Sequence, residues 1–200
     1  MIKIYGHEVS GNAYKVQLLA SLLGVEYEWV RVDLMKGEHK SPKYLARNPF
    51  GQIPILEDGD VTLADAQAIL VYLARTYGGD EWLPTDAVGL AQVVRWLSIA
   101  AGEVRQGVEN ARLFHLFGEG TKINIERATL KSQFILNQLN QHLRDRLWLE
   151  FERPTIADVA VFPYVALAKD GKIELDNYPH VLSWIERVKQ LPNFVGMKGI

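Results

Sequence analysis

One stretch limits the folds open to this chain more than any other. It is Asn48-Pro49-Phe50-Gly51-Gln52-Ile53-Pro54-Ile55-Leu56, followed a hairpin's length later by Asp65-Ala66-Gln67-Ala68-Ile69-Leu70. Pro54 has no N–H, so a strand can begin there but not run through it, and the peptide groups just before it stay free to bond something outside the sheet. Ile53 is the residue left in that position. Asp58-Gly59-Asp60 separates the apolar run Ile53–Glu57 from Val61–Leu63, and Asp-Gly between apolar runs is a strong hairpin signal. Asp65 then stands as N-cap of a helix carrying Ile69, Leu70, Tyr72 and Leu73, whose first-turn N–H groups, from Ala66 and Gln67, attract a carboxylate. A strand edge that cannot close on itself and a helix N-terminus facing the same side read together as a site for a small peptide-like anion.

The rest of the chain divides around this unit. Ile2–Tyr5 reads as a short buried strand and Ala13–Leu23 as a helix stopped by Gly24. Tyr27–Val32 alternates like a second strand, and Ser41–Ala46 is helical after Pro42. With the helix Asp65–Tyr77 the order is βαβαββα. Residues 78–86 are turn-rich and read as a linker. Beyond it every periodic segment is helical: Ala87 to about Phe114, Lys122–Leu149, and a last helix with Val181, Leu182, Trp184, Ile185 and Val188 on its apolar side. Two long helices joined by a Gly-containing loop should pack antiparallel. Thr155-Ile156-Ala157-Asp158 is a capping box, with Thr155 as N-cap and Asp158 at the third helical position, and is assigned to structure. The expected organisation is an α/β domain over 1–77, a linker over 78–86 and an all-α domain over 87–200.

Composition narrows the function. A chain of 200 residues that is 48% hydrophobic and 23% charged can bury one or two cores. Its net charge of -2 argues against nucleic acid or an anionic membrane surface as the main partner. No apolar run reads as a membrane span and the N-terminus starts directly as a strand, so a cytoplasmic protein is expected. The absence of cysteine removes disulfides, thiolate metal sites and every mechanism that needs a protein thiol. The histidines, His7, His39, His115, His142 and His180, have no metal-ligand spacing, and no metal is expected. There is no Gly-rich phosphate loop and no Gly-x-Ser-x-Gly elbow.

With these residues in view, the chain resembles a cytosolic-type glutathione S-transferase of the bacterial, serine-dependent kind, over essentially its whole length. The resemblance implies a thioredoxin-like N-terminal domain followed by an all-helical one, and a cis Ile53–Pro54 bond in a glutathione-binding turn. It implies that Gln52 and Ile53 pair with the cysteinyl backbone of glutathione, beside Pro54, and that Asp65 and Ala66 grip the γ-glutamyl end. His39 and Lys40 occupy the region that meets the glycyl carboxylate. Ala66 stands where the family commonly has serine, so one side-chain hydrogen bond is lost and glutathione binding should be weaker than in a serine-bearing relative. The missing cysteine sets the chain apart from the cysteine-dependent thiol-transfer branches.

Members of the family that use serine rather than tyrosine place it where Ser10 lies, in Ser10-Gly11-Asn12 after the first strand. Ser10 is therefore the candidate donor to the glutathione sulfur, with Asn12 adding a donor or steadying the turn. Read from the residues alone, Ser10 or Asn12 is simply the N-cap of the first helix. Tyr5, near the end of the first strand, is the main competitor and Tyr14 a weaker one. The energetic demand is modest: a free thiol of pKa about 8.5 is a few per cent ionised at pH 7, and a hydroxyl donor near a helix N-terminus can supply about two units of lowering.

The function implied is a transferase in detoxification that uses glutathione as co-substrate and passes its sulfur to a small hydrophobic electrophile. A non-catalytic ligand-binding or assembly protein, or a glutathione-dependent isomerase, dehalogenase or peroxidase, stays open beside it. The electrophile pocket is expected between the Ser10 loop and the first long helix, within range of Val104, Val108, Arg112 and His115. A homodimer is implied, through the Asp65-led helix and the first long helix. Phe50 either inserts into the partner or anchors its own loop.

Overall fold

In a computed structural model that describes residues 1–200, strand β1 (Ile2–Gly6) leads through Ser10 into helix α1 (Gly11–Leu22), and β2 (Tyr27–Arg31) returns parallel to β1. The turn Glu38–Lys40 and short helix α2 (Pro42–Leu45) connect to the hairpin β3 (Ile55–Asp58) and β4 (Val61–Ala64). The four-stranded mixed sheet has the order β2-β1-β3-β4, with β3 antiparallel to both neighbours. Helix α3 (Ala66–Leu73), widening through Ala74–Gly78, closes this half.

Strand β3 starts two residues later than the apolar run suggests. Pro54 has no donor, so Ile55 is the first residue to pair, with Tyr5 on one side and Ala64 on the other. The Ile53–Pro54 bond is cis, as the resemblance implied. The hairpin closes over Gly59-Asp60, with Asp58 opposite Val61 and Gly59 at φ +58°.

Helix α1 begins earlier than its apolar periodicity suggests because Ser10 caps it, accepting from the Ala13 N–H at 3.1 Å. It ends where Gly24, at φ +67°, reverses the chain, with Val25 N–H donating to Ala20 and Gly24 N–H to Ser21. Ile2 and Ile4 of β1 share a core with Val16 and Leu19 of α1 and Ile69, Leu70 and Leu73 of α3. Burying such side chains is worth about 1.5–3 kcal/mol each.

Helix α4 runs from Ala87 to Phe117, capped by Asp86, and widens to π geometry over Ala100–Glu109. By length and composition it could cross a membrane, against the expectation that no run approaches a span. Arg95, Glu103, Arg105, Glu109 and Arg112 interrupt it, and its other side packs on α5 (Ile125–His142). A Cβ at Gly107 would sit 2.8 Å from the Ser132 nitrogen, and Trp96 meets His142 ring to ring at 5.0 Å. The two helices are therefore antiparallel. Helix α5 is shorter than Lys122–Leu149: Lys122 sits at φ +57°, Asn124 caps the helix through Arg127 N–H, and the chain leaves it after His142.

Helix α6 (Ile156–Ala166) carries the expected capping box. Asp158 is 1% exposed and accepts from Thr155 N–H, Leu149 N–H and the Trp184 indole. Burial pushes its carboxyl up to about 6 against the pull of these donors. Helix α7 (Pro179–Lys189) buries Val181, Trp184, Ile185 and Val188, and Phe162 of α6 meets Trp184 edge to face. One continuous core reaches from Ile2 to Val188 across both halves.

Candidate functional site

A cavity of about 740 Å³ opens between the C-terminal end of the sheet and helix α4. Its floor is built from local structures. The β1–α1 turn brings Ser10 and Asn12 to it, the Asn48–Pro54 loop brings Gln52, Ile53 and Pro54, the first turn of α3 brings Asp65, Ala66 and Gln67, and the Glu38–Lys40 turn brings His39 and Lys40. Ser10, Asn12 and every residue expected to meet the tripeptide line this one space.

The loop before β3 is braced from behind. Tyr44 hydroxyl and Asn48 Nδ2 both donate to the Gln52 carbonyl, at 3.0 and 2.8 Å, and Lys40 Nζ donates to the carbonyls of Phe50 and Gly51 at 3.2 and 2.8 Å. Neither backbone group of Ile53 has a partner within the chain. The bracing fixes an open peptide edge facing the cavity.

Asp65 adopts φ +77°, a conformation uncommon for a residue with a side chain, and strain of that kind concentrates where a site needs it. Its carboxylate accepts from Ala68 N–H at 3.0 Å, while the N–H groups of Ala66 and Gln67 stay unpaired. Two free donors at a helix N-terminus make a carboxylate-sized seat. At the opposite end, burial and the neighbouring Lys40 charge lower the His39 pKa, and His39 Nδ1 is buried without a partner.

Ser10 is half-buried, and its hydroxyl accepts the Ala13 amide hydrogen. The cap role read from the residues alone is therefore real, and the hydroxyl proton remains available to a ligand. Tyr5 does not line the cavity: its hydroxyl donates to Glu57 at 2.7 Å, and Arg47 stacks over its ring at 4.9 Å. Tyr14 is 2% exposed and donates to the Val195 carbonyl.

The wall on the helical side differs from expectation. Val104 and Val108 are fully buried in the core, and His115 lies off the cavity. Of the expected set only Arg112 reaches it, donating to the Val9 carbonyl at 2.8 Å and pairing with Asp170 at 2.9 Å. The π segment of α4 supplies Ala100, Ala101, Arg105 and Glu109 instead, and the following turns supply Leu113 and Phe117. Widened turns rotate a helix face relative to a strict 3.6-residue register, so range along the helix alone does not say which residues face the cavity.

Beneath the floor lies a group that the sequence did not flag. Lys15 is fully buried and donates to Asn12 Oδ1 at 2.8 Å. Its Nζ lies 5.1 Å from the centre of the Tyr164 ring, near the buried Glu109 carboxylate. Burial pushes the Lys15 ammonium down to about 8 and the Glu109 carboxyl upward, each opposed by the other's charge. Phe50 is 80% exposed at the rim and does not anchor its own loop.

Residues 1–75 match the model of the glutathione S-transferase N-terminal domain, and residues 123–195 match that of the glutathione S-transferase C-terminal domain. The chain is 33% identical over 192 residues to a probable glutathione S-transferase of rice, Oryza sativa subsp. japonica, covering 92% of this chain and 89% of the relative. Its fold superposes on a glutathione S-transferase crystal structure from Pseudomonas fluorescens with a TM-score of 0.91 at 32% identity, covering 98% of each chain. A glutathione transferase homologue from Drosophila mojavensis, solved with bound glutathione, is 28% identical with a TM-score of 0.85, covering 96% of this chain and 88% of that one.

Proposed function

Because this chain belongs to the glutathione S-transferase family, we propose that it ionises glutathione against Ser10 and directs the sulfur at a small, largely apolar electrophile. The observation that carries the reading is convergence: the Ser10 hydroxyl, the unpaired peptide of Ile53 and the unpaired N–H groups of Ala66 and Gln67 all face one cavity. An extended tripeptide laid across them meets a donor or acceptor at each segment. Its γ-glutamyl carboxylate takes the first turn of α3, and its cysteinyl N–H and C=O take Ile53. Its glycyl carboxylate reaches toward Lys40 and His39, and its sulfur comes to Ser10.

The chemistry asked of the protein is limited. The thiol proton leaves to solvent, the Ser10 O–H donates to the sulfur anion, and positioning supplies the rest of the rate. The sulfur lone pair forms the new bond to an electrophilic carbon, and a leaving group departs with its bonding pair or a conjugated π pair moves away. Leu34, Ala101, Leu113 and Phe117 offer the electrophile an apolar wall. No step calls for a metal or a protein thiol.

Ser10 is favoured over Tyr5 because the tyrosine hydroxyl is committed to Glu57 away from the cavity. The same reading divides the chain at residues 78–86, places the protein in the cytoplasm and pairs two copies through α3 and α4. Exposed Phe50, Val88 and Val94 are covered in that pair. The test is a glutathione titration followed by ultraviolet absorbance of the bound thiolate, wild type against Ser10→Ala. The expected result is a thiolate band near neutral pH that Ser10→Ala moves to higher pH; an identical titration in both proteins rejects the role.

A further inference from the structure

We infer that Lys15 is a positioning residue for thiolate formation: it fixes the Asn12 side-chain amide so that its N–H₂ faces the cavity beside Ser10 as a second donor to the glutathione sulfur. The inference rests on the transferase reading above.

The argument starts from what an ammonium can do. Lys15 Nζ carries only donors, so the atom of Asn12 that meets it at 2.8 Å must be the carbonyl Oδ1. The two ends of a primary amide point apart, so pinning Oδ1 beneath the floor turns Nδ2 the other way. Asn12 lines the cavity and is only half-buried, and its Nδ2 has no partner within the chain. Without the cation, the amide is free to flip and offer its oxygen, an acceptor that repels a sulfur anion.

Lys15 is poorly explained as a structural residue. A fully buried ammonium costs stability unless it is paired, and an apolar residue would fill this space at lower cost. What keeps it charged comes first from the helical domain, the Glu109 carboxylate of α4 and the face of the Tyr164 ring of α6, with the Asp65 carboxylate adding to it from the α3 side. Tyr164 also packs so close to Gly11 that a Cβ there would sit 2.8 Å from the ring. Glu109 and Tyr164, with Asp65, therefore hold the cation, the cation holds the amide, and the amide faces the sulfur.

The test uses full-length protein and glutathione itself. Binding and thiol pKa are measured for wild type, Lys15→Met, Asn12→Ala and the double variant. Each single change should raise the bound thiol's apparent pKa by about one unit, or about tenfold less thiolate below that pKa. The glutathione Kd should change less than about twofold, and the double variant should be no worse than the worse single, as for residues acting through one another. An unchanged thiol pKa in folded Lys15→Met, or fully additive effects, overturns the inference. Should Lys15→Met not fold, nitrogen-15 spectra of wild type decide. The Asn12 side-chain N–H₂ resonances should shift on adding glutathione and lose most of that shift with an S-alkylated analogue. Resonances that ignore the thiolate overturn the inference. Wild type that binds no glutathione at all overturns the transferase reading and this inference with it, an outcome distinct from a bound thiolate indifferent to Lys15.

Discussion

The Ser10 hydroxyl oxygen accepts the amide hydrogen of Ala13 at 3.1 Å, so the group that caps α1 has its own proton left to give. Accepting one hydrogen bond polarises the O–H and makes it a better donor. In the proposed function, the cap and the thiolate partner are the same atom used in two directions.

These roles separate by substitution. Ser10→Asp keeps an N-cap acceptor of equal rank but brings a negative charge to the sulfur. Its stability should stay within about 0.5 kcal/mol of wild type, while kcat/KM for conjugation falls about a hundredfold or more. Chemical denaturation beside steady-state kinetics checks this. Equal losses of both would mean that Ser10 only caps.

Tyr5→Phe should leave conjugation within about twofold of wild type and cost about 0.5–1.5 kcal/mol of stability through the lost bond to Glu57. A collapse of kcat in a well-folded Tyr5→Phe protein would transfer the sulfur-binding role to the tyrosine.

Ala66→Ser restores a side-chain donor at the γ-glutamyl end of the cavity. One added hydrogen bond of about 0.5–1.5 kcal/mol should lower the glutathione Kd roughly twofold to tenfold, read by calorimetry. An unchanged or higher Kd removes the proposed seat at α3.

The Lys15 ammonium, held at about 8 in the fold against 10.5 for the ordinary group, gives stability a pH signature. Between these values the unfolded chain binds more protons than the folded one, so the Lys15 contribution makes stability rise as pH climbs from about 8. Asp65, Arg105, Glu109 and Tyr164 face or surround it and stay in the comparison. The stability difference, wild type minus Lys15→Met, should therefore grow in favour of wild type from pH 8 to pH 10. A flat difference would mean that the ammonium is not depressed by burial.

In the proposed pairing, Phe50, 80% exposed, and Val88 and Val94 on α4 are covered, so the protein is expected to sediment as a dimer at micromolar concentration. Phe50→Asp should shift sedimentation toward the monomer. A wild-type monomer under the same conditions counts against the pairing.

What the sequence disclosed follows the range of the interactions. Pro54, the Asp58-Gly59-Asp60 turn, the Asp65 cap and the Thr155–Asp158 box act within a few residues, so their chemistry is visible in the string and reappears in the fold. The convergence of these residues on one cavity floor was legible for that reason. The opposite wall was not, because the π-wound turns of Ala100–Glu109 turn a face toward the cavity that nearness along the chain does not identify. Lys15 is not legible either, since a lone lysine in a helix reads as solvated. Only the packing of α4 and α6 onto α1 buries it against Glu109 and Tyr164, far away in sequence.

The guanidinium of Arg112 reaches across 103 positions of chain to hold the carbonyl of Val9 at 2.8 Å, just ahead of the reactive turn. Cutting the chain within residues 78–86 would remove this brace from the turn that carries Ser10 and open the core that Ile2 and Val188 share, so the two halves stand or fall together.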